Sequence, residues 1–291
     1  MRYAIFSIIL FLLSSCAVQS HPGKLNAEGC HTDRKTGEYH CHDPKKSAAL
    51  LPKRQAVKTN SLSRQVEITH SNNLLQLDYE GFTVWVDCAR RGAVKFRYNA
   101  QHDTGSAKRY DDFLLDPNVP AACQQTSSKA YGHNYDRGHL VPANHLDASE
   151  SAIKATNIMT NILPQAANMN KGAWLLTEEI VECYRDIDEL LVIGGVIWGN
   201  NPADDYFVKS HSVQTPDAFW KVIIRGSGQN ERAIAWIVPN SPEATKKNLD
   251  RYLVSVDELE RVTGEKIPVA DYAKHDKPEV SWLIPKGCNK G

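Results

Sequence analysis

"NYDRGHLVPANH", residues 134–145, sets an acid, an arginine, a glycine and a histidine side by side in a stretch that otherwise reads as loop and short strand. Taken alone, Asp136-Arg137-Gly138-His139 is a weak signal. Four residues recur by chance, and an isolated histidine is more often a packed structural residue than a base. The stretch Asn157-Ile158-Met159-Thr160-Asn161-Ile162-Leu163-Pro164-Gln165, followed by Asn168-Met169-Asn170-Lys171-Gly172-Ala173-Trp174 and Glu178, changes its weight. Polar amides cluster there just ahead of a helical pattern. Glu178, eight residues after Asn170, would look back from about the second turn toward the helix start. A histidine on a strand, an amide oxygen at a helix start and a carboxylate two turns on suit one hard divalent cation. Mg²⁺ prefers oxygen ligands, keeps several waters and takes few protein contacts. Amide-rich, cysteine-free ligation argues against zinc at this place.

Outward from that segment the chain reads as a folded domain from about Gln65. Gly81 to Cys88 and Ala93 to Tyr98 are β-rich runs joined by Ala89-Arg90-Arg91-Gly92, which predicts a hairpin. Leu176, Ile180, Cys183, Tyr184, Ile187 and Leu191 recur at three- and four-residue steps; they predict an amphipathic helix over 171–190 whose acids and Arg185 mostly face water. Residues 190–199, 218–226 and 232–240 read as buried or half-buried strands. Ser255-x-x-Glu258 offers a capping box for a late short helix. No repeat is evident and strands and helices alternate irregularly, so the expected class is α+β, a central mostly antiparallel sheet with helices packed on it.

Tyr135 to Leu140 and Met159 to Glu178 resemble the DNA/RNA non-specific endonuclease family, whose active site is a ββα-metal (His-Me) finger. The likeness extends more loosely from about Gly81 to Gly264, including Pro216 to Lys221, the Ala233 to Asn240 strand and Val256 to Glu260. The resemblance implies that His139 is the general base that deprotonates water, and that Asn170 is the one direct protein ligand to Mg²⁺, with Mn²⁺ able to substitute. It implies that Glu178 holds water beside the metal and helps protonate the leaving group, and that Asn161 is an amide supporting the site. Asp136 and Arg137 flank the base, Arg137 reaching phosphate through its planar fork. In the loosely matching segment Gly105 to Tyr110, Arg109 is the candidate for a further transition-state cation, with Lys108 as competitor. Lys171 and the pair Arg90/Arg91 add local positive surface. The family often carries a basic residue one turn after the glutamate, whereas this chain has Glu182, a departure that bears on the phosphate contacts. His133 and His145 bracket the motif, and no family position requires them; they read as structural or rim residues. Such a site grips the sugar-phosphate backbone of DNA and RNA with little sequence selectivity.

The 291-residue chain is 42% hydrophobic, and Lys+Arg and Asp+Glu balance at 34 each. A sizeable core is affordable, and no global field advertises a nucleic-acid partner, so attraction for phosphate must come from local patches. Residues 1–16 carry Arg2, an apolar run from Ala4 to Leu13 and then small residues, the layout of an export signal and too short to span a bilayer comfortably. The ending Leu13-Ser14-Ser15-Cys16 resembles a bacterial lipoprotein signal, with Cys16 lipidated, and also fits an ordinary cleavage site. The chain is thus expected to be exported, as a periplasmic, membrane-anchored or secreted protein, with no transmembrane span once processed.

Residues 21–42 crowd four of the eleven histidines together with Cys30 and Cys41, and resemble a short module of exported bacterial proteins, GCHT-x-RKTG-x-YHCH. Two arrangements compete. Cys30, His31, His40, Cys41 and His42 could hold a metal, or the two cysteines could close a small hairpin as a disulfide, which an oxidising compartment favours. Residues 43–64 read as a tether and 65–291 as the endonuclease domain. Among Cys88, Cys123, Cys183 and Cys288, Cys88 is expected to pair with Cys123; the other two are left open, Cys183 on an apolar helix face being equally a buried free thiol. Two other functions stand beside the nuclease: a surface lipoprotein that binds nucleic acid or metal with an inactive nuclease fold, and a zinc hydrolase built on the N-terminal histidines. The last lacks a helix for its ligands and a matching acid.

Overall fold

The computed structural model describes residues 74–199 and 202–290, and the backbone of 30–32, 39–41 and 68–69. Chain contacts divide the molecule into Met1–Thr59 and Asn60–Gly291. In the first unit, β1 (Cys30–Thr32) pairs antiparallel with β2 (Tyr39–Cys41), with Cys30 opposite Cys41 and His31 opposite His40. Either arrangement expected of these residues, a metal site or a disulfide, is compatible with this pairing. The export segment, Cys16, His42 and the tether lie outside the described residues.

The second unit is built on an eight-stranded sheet. Its strands are β3 (Ile68–Thr69), β4 (Leu74–Tyr79), β5 (Phe82–Asp87), β6 (Gly92–Ala100), β9 (Leu190–Trp198), β10 (Pro216–Arg225), β11 (Arg232–Pro239) and β12 (Leu253–Val254). Their order is β12-β11-β10-β9-β6-β5-β4-β3, and every neighbouring pair is antiparallel. A separate two-stranded sheet joins β7 (Tyr135–His139) to β8 (Ile162–Ala166). The helices are α1 (Glu150–Thr156), α2 (Ala167–Met169), α3 (Leu175–Arg185), α4 (Val256–Thr263) and α5 (Asp271–Lys274). The class is α+β, as expected.

The edge side of the sheet alternates: in β4, Leu75, Leu77 and Tyr79 are buried while the residues between them meet solvent to some degree. The central strand β10 reads as an almost unbroken apolar run because both of its faces are covered. Phe219 and Ile223 enter a core shared with Trp174 and Ile180, whereas Trp220, Val222 and Ile224 join Val256, Leu259 and Ile267 on the opposite face. Helix α4 begins at the predicted capping box: Ser255 Oγ accepts from Glu258 N at 3.1 Å, and Glu258 Oε2 accepts from Ser255 N at 3.0 Å.

Disulfides Cys88–Cys123 and Cys183–Cys288 tie the domain together. The first is the expected pair; the second settles the two cysteines left open, for Cys288 comes back from 105 residues away to meet the helix of Cys183. The helix prediction needs two corrections. Helix α3 ends at Arg185, leaving Ile187 61% exposed and Leu191 in β9. Glu182 and Arg185, expected to face water, are buried, because Arg185 Nη2 meets Glu182 Oε1 at 2.6 Å inside the fold.

Candidate active site

Strands β7 and β8 pair with His139 opposite Ile162 and Asp136 opposite Gln165, and the chain then enters α2, kinks at Gly172 and continues into α3. The result is a ββα unit. Gly138 is required by close approach: a Cβ there would lie 2.2 Å from Gln165 Cδ.

The side chain of Asn157, at the end of α1, holds His139. Its Nδ2 donates to the carbonyls of Tyr110 and Asp112, so its Oδ1 is the atom that faces His139 Nε2, at 2.8 Å. The imidazole must then carry its proton on Nε2, and Nδ1 is left as the basic nitrogen. The half-buried ring packs 5.6 Å from Phe113, over which the Arg137 guanidinium also lies at 3.9 Å. Burial pushes His139 down to about 4; the Asn157 bond opposes this, and the charges of Arg109 and Arg137 add to it. Its neutral form dominates at pH 7.

Trp174 connects the base to the helix carboxylate. Its Nε1 donates to the His139 carbonyl at 3.2 Å and also stabilises the Glu178 carboxylate. Burial raises Glu178, opposed by the charges of Lys221 and Arg109. Lys221 is fully buried from β10, donating to Thr177 Oγ1 at 2.8 Å with its ammonium 3.8 Å from the Trp174 ring centre. Asp136 Oδ2 accepts from Asn170 Nδ2 at 3.0 Å and pairs with Lys171 Nζ at 2.8 Å.

A model of the DNA/RNA non-specific endonuclease family matches residues 60–275. The chain belongs to that family. It is 33% identical over 191 residues to a nuclease of Nostoc sp., covering 62% of this chain and 66% of that protein. It is 26% identical over 197 residues to mitochondrial endonuclease G of Homo sapiens, covering 64% and 66%. To mitochondrial nuclease EXOG of Xenopus laevis it is 29% identical over 172 residues, covering 55% and 48%. The matches thus span about half to two thirds of these relatives' lengths. A crystal structure of an EndoG/EndoGI complex shares the fold at TM-score 0.56 and 17% identity, covering 70% of this chain and 87% of that one.

Against the residues expected from the family, the geometry sorts the candidates. Arg109 is exposed, and its charge is felt at both His139 and Glu178; Lys108 is exposed beside it. Arg137 donates to the Ser128 carbonyl at 2.9 Å, which fixes its fork against Phe113. Asn161 is a brace: it accepts from Val141 N and donates to the carbonyls of Val141 and Thr156, and full burial closes its side chain to substrate. His133 is on the rim, stacked on Tyr206, and His145 is buried with Nδ1 against the Tyr98 hydroxyl at 2.8 Å. Glu182, where the family often has a basic residue, is turned inward to Arg185, Asn144 and His145. Asn157, Phe113, Trp174 and Lys221 had no role in the sequence reading. Asn157 and Trp174 stood inside the quoted stretch, but nothing in a sequence says which amide touches the histidine.

The donor set fits a hard divalent cation. The Asn170 nitrogen is committed to Asp136, so its amide oxygen is the atom that could ligate a cation. Among the described residues no three His, Cys, Asp or Glu converge into a metal cluster, so a cation at Asn170 would keep most of its coordination as water and substrate oxygen, the habit of Mg²⁺.

Proposed function

We propose that this protein is an exported endonuclease that hydrolyses phosphodiester bonds in DNA and RNA, with Mg²⁺ as cofactor and Mn²⁺ able to replace it. The observation that carries the reading is the state of His139: neutral, with Nε2 anchored on the Asn157 amide oxygen and Nδ1 left as base. In hydrolysis, Nδ1 takes a proton from water as the water oxygen forms the new bond to phosphorus in line with the departing oxygen. Arg137 and Arg109 supply positive charge to the phosphoryl oxygens as negative charge accumulates there. Glu178, raised by burial, is suited to return a proton to the leaving oxygen. Lys171 offers a further cation at the rim. Asn170, its amide oriented by Asp136, would hold Mg²⁺, which when bound would supply positive charge to the phosphate.

Export is supported by the signal-like pattern of residues 1–16 and by two disulfides, which persist in oxidising compartments. Cys16 is the site for a lipid anchor if the leader is of lipoprotein type. Among the described residues no helix is long and apolar enough to cross a membrane.

Supercoiled plasmid and total RNA, each incubated with the purified full chain in Mg²⁺ and in EDTA, test the proposal. Both should be degraded in Mg²⁺ and spared in EDTA. Retention of DNA in a gel without cleavage across several metals would favour the inactive, nucleic-acid-binding alternative.

A further inference from the structure

We infer that His133 and Tyr206 form a stacking platform for an unpaired nucleobase of the substrate strand, at the end of the catalytic hairpin. The inference rests on the nuclease reading above and specifies which strand state the site grips. The two rings are stacked, with centres 4.4 Å apart and planes 13° from parallel. Both residues are exposed, Tyr206 at 45%. Beneath them Phe207, 2% exposed, packs against Tyr131 at 4.6 Å and Tyr135 at 5.4 Å, so the platform stands on a fixed floor. His133 and Asn134 adopt φ of 55° and 61° in succession, a left-handed backbone that side chains with a Cβ enter at a cost of about 1–2 kcal/mol per residue. Hydrogen bonds from Tyr135 N to the Gly132 carbonyl and from Ala167 N to the Asn134 carbonyl hold the turn in place. Core packing does not require this geometry, since the ring it presents faces water.

The platform continues the catalytic row. Side chains two apart on a strand share a face, so Tyr135, Arg137 and His139 line one side of β7, and Tyr135 meets Tyr206 at 6.0 Å. Four residues at about 3.3 Å each place Tyr135 about 13 Å from His139, a few nucleotides away along one strand. Burial raises the Tyr135 phenol and the charge of Asp204 nearby adds to the shift; a carboxylate at this spot makes it poor for phosphate and leaves the uncharged face of a base as the fitting ligand. Paired bases hide that face in their own stack. Single-stranded DNA, RNA and opened duplex ends present it.

The test compares kcat/KM on a single-stranded oligonucleotide with kcat/KM on bis(4-nitrophenyl) phosphate, which has no base, for the full chain and for the double variant His133→Ala, Tyr206→Ala. The ratio should fall about 5- to 150-fold, the worth of one stacked base, and Tyr206→Trp should preserve it. In a His139→Ala background, an oligonucleotide carrying 2-aminopurine should be quenched on binding, and the added double substitution should remove the quench. An unchanged ratio, an unchanged quench, or an equal fall on a long blunt duplex would each overturn the platform and leave the nuclease reading standing. Failure of the unmodified chain to cleave either substrate would overturn the nuclease reading, and the quench would still decide the platform.

Discussion

His139 and His145 are six residues apart, and burial holds both neutral. Both carry the ring proton on Nε2: His139 because an amide oxygen faces that atom, His145 because the Glu182 carboxylate does, at 3.4 Å. They differ at Nδ1. At His145 that nitrogen accepts from the Tyr98 hydroxyl, and the ring is closed in with Glu182 and Arg185, all of them buried. At His139 no described residue bonds to it. On the proposed reading one desolvated histidine is a base and the other a rivet, and the deciding feature is whether one nitrogen is left for something outside the protein.

The largest test of the contrast removes each ring. His139→Ala should lower kcat by about 10²- to 10⁴-fold, the usual worth of a positioned general base, with little change in the unfolding midpoint. His145→Ala should do the reverse, lowering the midpoint while the folded fraction keeps most of its turnover. Turnover of His139→Ala within tenfold of the unmodified chain would remove the base assignment.

Next in size is the charge beneath the rivet. Glu182→Ala leaves the Arg185 guanidinium buried without its carboxylate, and breaking such a pair costs about 3–5 kcal/mol, a fall of roughly 6–20 °C in Tm for a domain of this size. Thermal unfolding by circular dichroism reads it. A shift under 2 °C would mean that Asp103, 3.3 Å from Arg185 Nη2, suffices alone.

The shared property of the two rings sets a pH dependence. An unfolded histidine protonates near 6.5 and folded His139 only near 4, so between these values the unfolded state binds the extra proton. The contribution to stability is intact above about pH 6.5, is lost as pH falls toward 4, and amounts to at most about 3 kcal/mol. His145, also depressed, acts in the same direction. Urea unfolding at pH 7, 5.5 and 4 should show the decline, and His139→Gln should flatten part of it. An identical decline in that variant would place His139 near its ordinary pKa.

Much of this was legible in the chain because the signals were local. Two β-rich runs joined by a short turn gave the hairpin of β5 and β6, apolar runs gave β9, β10 and β11, and the Ser255–Glu258 spacing gave the start of α4. What could not be read depends on partners distant in sequence. Arg185 and Glu182 lie on a helix whose period puts charges outward, yet they turn in because Asn144 and His145 from one segment and Asp103 from another converge on them. Lys221 lies in a strand that reads as core, and it is core: its ammonium is satisfied by Thr177 and the Trp174 ring, 44 and 47 residues earlier. Among the site residues the order was visible while the division of labour was not, since Asn157, Asn161 and Asn170 are chemically alike and only their surroundings make one a clamp, one a brace and one the proposed ligand.

That division gives the smallest effect and the finest test. Asn157→Ala removes the acceptor for His139 Nε2, so the ring can exchange tautomers and turn, and it also frees the Tyr110 and Asp112 carbonyls on the segment that carries Arg109. Loss of such an orienting partner costs about 10- to 100-fold in activity. Asn157→Asp separates the two causes. A carboxylate still accepts from Nε2 but donates nothing to those carbonyls, and its charge favours the imidazolium, so His139 should titrate higher and the acid limb of kcat/KM should move to higher pH. At pH 8, where the imidazole is neutral again, the Asp variant should outperform the Ala variant. If instead the two fall equally and the acid limb does not move, Asn157 serves only to hold the Arg109 segment, and the contrast between the two histidines loses its cause at Nε2.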